Sequence, residues 1–189
     1  MRARLAAALL MVLTVVGAPA PPASARYETP VEDYASYDPQ TTCRRTALPG
    51  TAELAAWINR RFAGGTARAS IRACGSGGTS EHKDGRAIDW TMNAGSRADR
   101  LTVRELMTVL RRADAEGNED MPARRMGVMY VIWDDHMYSA WRQFEPSDYL
   151  SGGCKSLATC SKTLRHRDHV HISLSRAGAR GLTSWYLEN

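Results

Sequence analysis

Histidine and aspartate carry most of the chemistry available to this chain. Its five histidines are His82, His136, His166, His169 and His171, and three of them crowd into the segment LRHRDHVHISL. In an extended strand, side chains alternate between faces, so His169 and His171 aim their imidazoles into one space beside Ser173. Val170, Ile172 and Leu174 then turn toward a core. A histidine–x–histidine pair alone is a weak metal signal, and a second segment strengthens it. In SEHKDGRAIDW, His82 and Asp89 flank Gly85, and glycine permits the turn that lets an imidazole and a carboxylate converge on one ion. Ala87, on the Asp89 side of a short strand, leaves that side uncrowded. Two imidazoles and one carboxylate leave a fourth position open, as in catalytic rather than structural zinc sites. Water on that position has its pKa lowered toward about 7 and can attack as hydroxide. The same donors also accept other first-row metals. His171-x-Ser173 resembles half of a two-histidine phosphoesterase pattern, but His82-Lys83-Asp84 does not supply the other half.

The elements that must position these groups are legible in outline. Leu54, Trp57, Ile58 and Phe62 recur at helical spacing after a Thr51 N-cap, and Gly64-Gly65 ends that helix. Residues 68–73 fit a short strand. A second helix is expected from Thr102, with Glu105 completing a capping box and Val103, Leu106, Met107, Leu110 and Ala113 forming its buried stripe. Residues 127–133 (GVMYVIW) read as a buried strand, Asp134-Asp135 as a turn, and residues 137–141 as the returning strand. With residues 169–174 as the last strand, the order predicts an α+β fold, a small, largely antiparallel sheet with flanking helices. Trp90, Trp133, Trp141 and Arg142 are candidates to wall a cleft. Trp133 is expected to pack as core, and Trp141 and Arg142 are the better substrate contacts, since Arg142 can pair with a peptide carboxylate. Glu81 and Lys83 read as solvated.

At 189 residues the chain suits one domain. Arg2 and Arg4 precede an apolar run over residues 5–17, followed by Ala23-Ser24-Ala25. This reads as a secretory signal peptide over residues 1–25, too short to span a bilayer. Residues 26–42 then form a flexible arm, and residues 43–189 the domain. The net charge of +5 is mild, and no dense basic run interleaved with aromatics suggests nucleic acid. No other segment is apolar enough for stable membrane insertion, so a secreted, monomeric protein is expected. Its four cysteines, even in number, read as two disulfides. Of the three possible connectivities, Cys43–Cys74 with Cys154–Cys160 is preferred, because the second pair closes a short loop beside Gly152-Gly153. The absence of C-x₂-C spacing argues against a four-cysteine zinc site.

SEHKDGRAID resembles the S-x-H-x-x-G-x-A-x-D signature of D-alanyl-D-alanine metallopeptidases, and RDHVHIS resembles their closing motif. Together they are similar to the wider group with lysostaphin-type and hedgehog-type domains, over roughly residues 37–189. The SEHKxGRAxDW, GVxYVIW and DHVHIS segments look most like those of secreted actinobacterial proteins. The resemblance implies Zn²⁺ held by His82, Asp89 and His171. It implies that Arg72 meets substrate or the developing oxyanion, and that Asp168 is the general base, with His169 as competitor. It also implies peptidoglycan stem or cross-link peptides as substrate. The alternative is a non-catalytic, metal-stapled wall-binding module of the hedgehog-like type.

Overall fold

The computed structural model describes residues 27–188. The expected leader lies outside the described residues. The fold is α+β, with a six-stranded sheet in the order β1-β2-β6-β3-β4-β5 and every neighbouring pair antiparallel. The strands are β1 (Ala67–Arg68), β2 (Ala87–Thr91), β3 (Val128–Trp133), β4 (His136–Ser139), β5 (Pro146–Asp148) and β6 (His169–Leu174). The helices are α1 (Pro49–Arg61), α2 (Arg97–Leu110) and the short α3 (Met121–Arg125), α4 (Arg176–Arg180) and α5 (Ser184–Leu187). Cys43–Cys74 and Cys154–Cys160 are both bridged.

One face of the sheet makes the main core. Ile88, Trp90, Val128, Val131, Trp133, Val170, Ile172 and Leu174 pack there with Leu54 and Ile58 of α1 and Val103, Leu106 and Leu110 of α2. Burying each such side chain is worth about 1.5–3 kcal/mol. Trp90 is fully buried and donates to the Gly65 carbonyl at 2.9 Å, so it is core rather than cleft wall. The other face carries the polar groups of β2 and β6 and a small cluster of Met129, Tyr130 and Ile132. A bulge in the β3–β6 register explains that cluster. Val128 pairs with Leu174 but Tyr130 with Ser173, so Met129 and Tyr130 point to the same side, where regular alternation would part them.

Several boundaries differ from the sequence expectations. Leu48, not Thr51, caps α1, because Pro49 takes the first helical position, where its missing N–H costs nothing. Thr51 lies buried inside the helix and donates to the Gly85 carbonyl at 2.9 Å. Helix α2 begins at Arg97, with Ser96 accepting from the Asp99 amide; its polar first turn hid it. The strand expected over residues 68–73 shrinks to Ala67–Arg68, and the return strand ends at Ser139, with Trp141 in a 3₁₀ turn. Asp134 and Asp135 do make the turn, both with positive φ (48° and 67°), as a tight hairpin requires.

The arm expected over residues 26–42 is extended where described, but it is strapped to the domain. Tyr34 donates to Asp120, Glu32 accepts from Ser184 and Arg124, and Asp38 pairs with Arg176. Part-buried hydrogen bonds replace the looseness its composition suggested.

Candidate metal centre

The turn bearing His82 is built first by local backbone bonds. Lys83, Asp84 and Arg86 donate back to Ser80 and Glu81, and Gly85 closes the turn at φ +72°. The start of α1 holds it in place. The Leu48 amide and the Thr51 hydroxyl both donate to the Gly85 carbonyl, Arg44 donates to Lys83, and Thr42 binds the Asp84 carboxylate. Asp84 and Arg86 form a fully buried ion pair at 2.9 Å, and Arg86 also donates to Leu174 and Asp38. Glu81 and Lys83, expected to be solvated, are both buried. Lys83 spends its charge on the Gly77 and Gly78 carbonyls.

Opposite this turn, Asp89 of β2 pairs directly with His171 of β6. His82 Nε2, Asp89 Oδ1 and His171 Nδ1 form a nearly equilateral triangle. The His82–Asp89 side is 3.1 Å, the His82–His171 side 3.2 Å and the His171–Asp89 side 3.3 Å. Around a tetrahedral ion with bonds of about 2.0–2.1 Å, neighbouring ligand atoms stand ~3.3 Å apart, so the donors fit one ion. The group could hold a metal, and the Asp89 side chain, 34% exposed, marks its open side.

Outer contacts fix each donor. The Ser70 carbonyl lies 3.0 Å from His82 Nδ1 and can take its proton, leaving Nε2 free to ligate. The Ser70 hydroxyl donates to Asp89 Oδ2 at 3.0 Å. His171 Nε2 lies 2.8 Å from the Ser173 hydroxyl, and Tyr130 stacks on its ring at 5.6 Å. Ser70, Tyr130 and Ser173 as supports were not foreseen. Only the shared-face position of Ser173 hinted at one of them.

Charge follows from this packing. Burial would raise the Asp89 carboxyl, but hydrogen bonds from His171 and His82 prevail and hold it far below the usual range. Burial lowers His171, against the opposing pull of Asp89. Burial, then the neighbouring His171 and His169, brings His166 down to about 3, so its ring stays neutral between Tyr149, His169 and His171.

The remaining candidates fall at different distances. The Asp168 carboxylate faces His169, its Oδ1 2.7 Å from Nδ1, and also accepts from Thr163. His169 Nε2 reaches to 3.6 Å from Asp89 Oδ1. Strand alternation thus brings His169 toward the triangle and gives Asp168 the place behind it. Trp141, 41% exposed, meets Tyr37 and Tyr130 edge-on, which sets an aromatic wall beside His171. Arg142 is exposed and its guanidinium has no partner among the described residues. Arg72 is exposed too, outside hydrogen-bond reach of the triangle, with its charge felt at Tyr149. A separate cleft of about 1000 Å³ between α2 and β4 includes Arg104, Trp133 and Tyr138 but none of the triangle.

The model of one protein family, described as the VldE C-terminal domain, matches residues 43–153. The match contains His82 and Asp89 and stops short of His169 and His171. It is therefore shorter than the resemblance seen in the motifs. No curated protein and no solved structure matches the chain. Among the described residues, no helix is long and apolar enough to cross a membrane.

Proposed function

The chain belongs to the VldE C-terminal domain family, and on that premise we propose that it is an exported zinc peptidase cutting an amide bond in peptidoglycan stem or cross-link peptides. The observation that carries this reading is the donor triangle of His82, Asp89 and His171, with one side left open. When bound, a divalent ion there polarises a carbonyl oxygen and acidifies a coordinated water toward neutral pH. The likeness of SEHKDGRAID and RDHVHIS to D-alanyl-D-alanine metallopeptidases supports the substrate class. The two disulfides support an oxidising, extracytoplasmic location.

The chain's own residues do the rest. His169 gives its Nδ1 proton to the hydrogen bond with Asp168, which leaves Nε2 as an acceptor on the open side of the triangle. From there it can take a proton from the nucleophile and return it to the leaving amine. In this reading His169 is the base and Asp168 orients it. Arg142 and Arg72 are exposed cations available to a peptide carboxylate, and Trp141 provides an apolar wall.

The test is to incubate Zn²⁺-loaded protein with purified peptidoglycan and identify released fragments by mass spectrometry, with a chelator control. New amine and carboxyl ends that vanish with chelator are expected. A zinc-replete protein that binds the wall and releases nothing would instead be the metal-stapled binding module.

A further inference from the structure

The cleft between α2 and β4, about 1000 Å³ in volume, lies on the side of the sheet turned away from the donor triangle. Across β3 and β4, Tyr138 pairs with Val131 and His136 with Trp133, so Trp133 and Tyr138 share the core side. Ile132 and Met137, at the alternate positions, pack with Tyr130 on the side of His171. The cleft is at the top of the usual range for ligand sites, about 300–1,000 Å³. We propose that it binds a glycan chain, through sugars that carry acceptor groups such as acylamino carbonyls or carboxylates. The proposal stands apart from the metal centre. Taken with the proposed substrate, it gives the chain a hold on the polymer that leaves the triangle open.

The polar groups left over in this cleft are mainly donors. Arg104 and Arg112 are exposed, and neither guanidinium has a hydrogen bond or ion pair among the described residues. The Trp133 indole N–H and the half-buried Tyr138 hydroxyl also have no hydrogen bond there. Such groups usually find a partner when buried, so a ligand's oxygens would complete them. The carboxylates, by contrast, are mostly spent. Arg111 lies 2.5 Å from Glu145 and 3.6 Å from Asp120, and Arg167 lies 3.0 Å from Asp134. A ligand rich in acceptors is what this inventory calls for.

Three kinds of polymer could bring acceptors, and the walls favour one. An extended peptide would add to an unpaired strand edge. Here β4 is paired on both sides, and β5 offers only three residues, one of them Pro146. A phosphodiester polymer carries a charge on every unit, and Glu119, Asp120, Asp134 and Glu145 along the cleft would repel it. A sugar chain needs what is present: aromatic surface for its C–H faces and well-separated donors for its carbonyl and hydroxyl oxygens. Gln143 adds a side-chain amide to the lining, at a left-handed φ of 53° that few non-glycine residues adopt.

The experiment titrates the ¹⁵N-labelled protein, with and without Zn²⁺, with tetrasaccharides of N-acetylated, carboxylated and plain glucose type. Affinity is read by calorimetry, and place by the indole signals of Trp133 and Trp141. The N-acetylated or the carboxylated chain should bind saturably, shift Trp133 and leave Trp141 in place; whichever binds names the acceptor. Plain glucose chains should bind about 10-fold or more weakly, for want of charged hydrogen bonds. Replacing both exposed arginines, Arg104→Ala with Arg112→Ala, should weaken binding by about 10-fold or more. Tyr138→Phe, which removes only a hydroxyl, should weaken it by about 3-fold or more. No binding, equal binding of plain glucose chains, unchanged affinity in both variants, or a shift confined to Trp141 would overturn the proposal. So would tighter binding of a glycerol-phosphate oligomer, which would make the cleft a polyanion site. If no Zn²⁺ bound, the peptidase reading would fall, and the titration would still decide this one.

Discussion

The imidazole of His169 is held at both ends: its Nδ1 lies 2.7 Å from Asp168 Oδ1, and its Nε2 lies 3.6 Å from Asp89 Oδ1. The carboxylate behind it decides which nitrogen faces the triangle. His169→Ala should therefore lower peptide cleavage by about 100-fold or more, as expected for a lost general base. Asp168→Asn should cost less, about 10-fold, because the imidazole stays and only its orientation loosens. Fragment release measured beside metal content checks both, and zinc occupancy should not change.

His82→Ala and His171→Ala each remove one corner of the triangle. One zinc per wild-type chain is expected by elemental analysis, and much less than one in either variant. Zinc should also raise the melting temperature of wild type, since a ligand that binds only the folded state stabilises it. That increment should be absent from the variants.

Gly50, Gly127 and Gly178 let three backbone segments touch. A Cβ on Gly178 would stand 2.6 Å from the Met126 carbonyl oxygen, and one on Gly50 2.1 Å from the Gly178 carbonyl oxygen. Gly178→Ala should thus destabilise the fold by roughly 1–3 kcal/mol, the usual cost of overpacking. Urea unfolding measures it, and unaltered stability would mean the segments part without cost.

Arg165 grips both oxygens of Asp135, at 2.8 and 2.7 Å, and so ties the loop with Cys154–Cys160 to the β3–β4 turn. That hydrogen bond holds the Asp135 carboxyl below its ordinary value of 3.8, against the opposing effect of burial. The sign follows from the unfolded chain, which takes up the proton first as pH falls. The bridge's contribution is complete above pH 3.8 and lost as pH drops through the lower folded value. Asp135→Asn should accordingly quicken amide exchange in residues 161–168 at pH 7. The gap between variant and wild type should close in acid.

Much of this site could be read from residue order because it sits on regular strand. The alternation in HVHISL put His169, His171 and Ser173 on one face and Val170, Ile172 and Leu174 on the core, as the structure has them. The disulfide pairing and the Asp134-Asp135 turn were legible for similar local reasons. What escaped notice depends on irregularity or on distant partners. Tyr130 reaches the site because a bulge breaks the period-two pattern. Ser70 does so from a segment with no repeating geometry. Glu81 looked solvated because a charged residue in a loop usually is, and only the approach of Tyr130 from β3 gives it a buried partner. The early start of α2 escaped because Arg97, Ala98, Asp99 and Arg100 offer no apolar stripe.

Asp89 and His171 face each other across adjacent strands, yet they stand 82 positions apart along the polypeptide. A nascent chain leading with its N-terminus consequently carries no donor triangle until β6 has emerged and slotted between β2 and β3. A slip of a single position there would turn His171 to the opposite side of the sheet. Convergence of the three donors is in this sense a readout of β6 having been made and correctly aligned. A product without β6, or with it misregistered, cannot bring the three donors together.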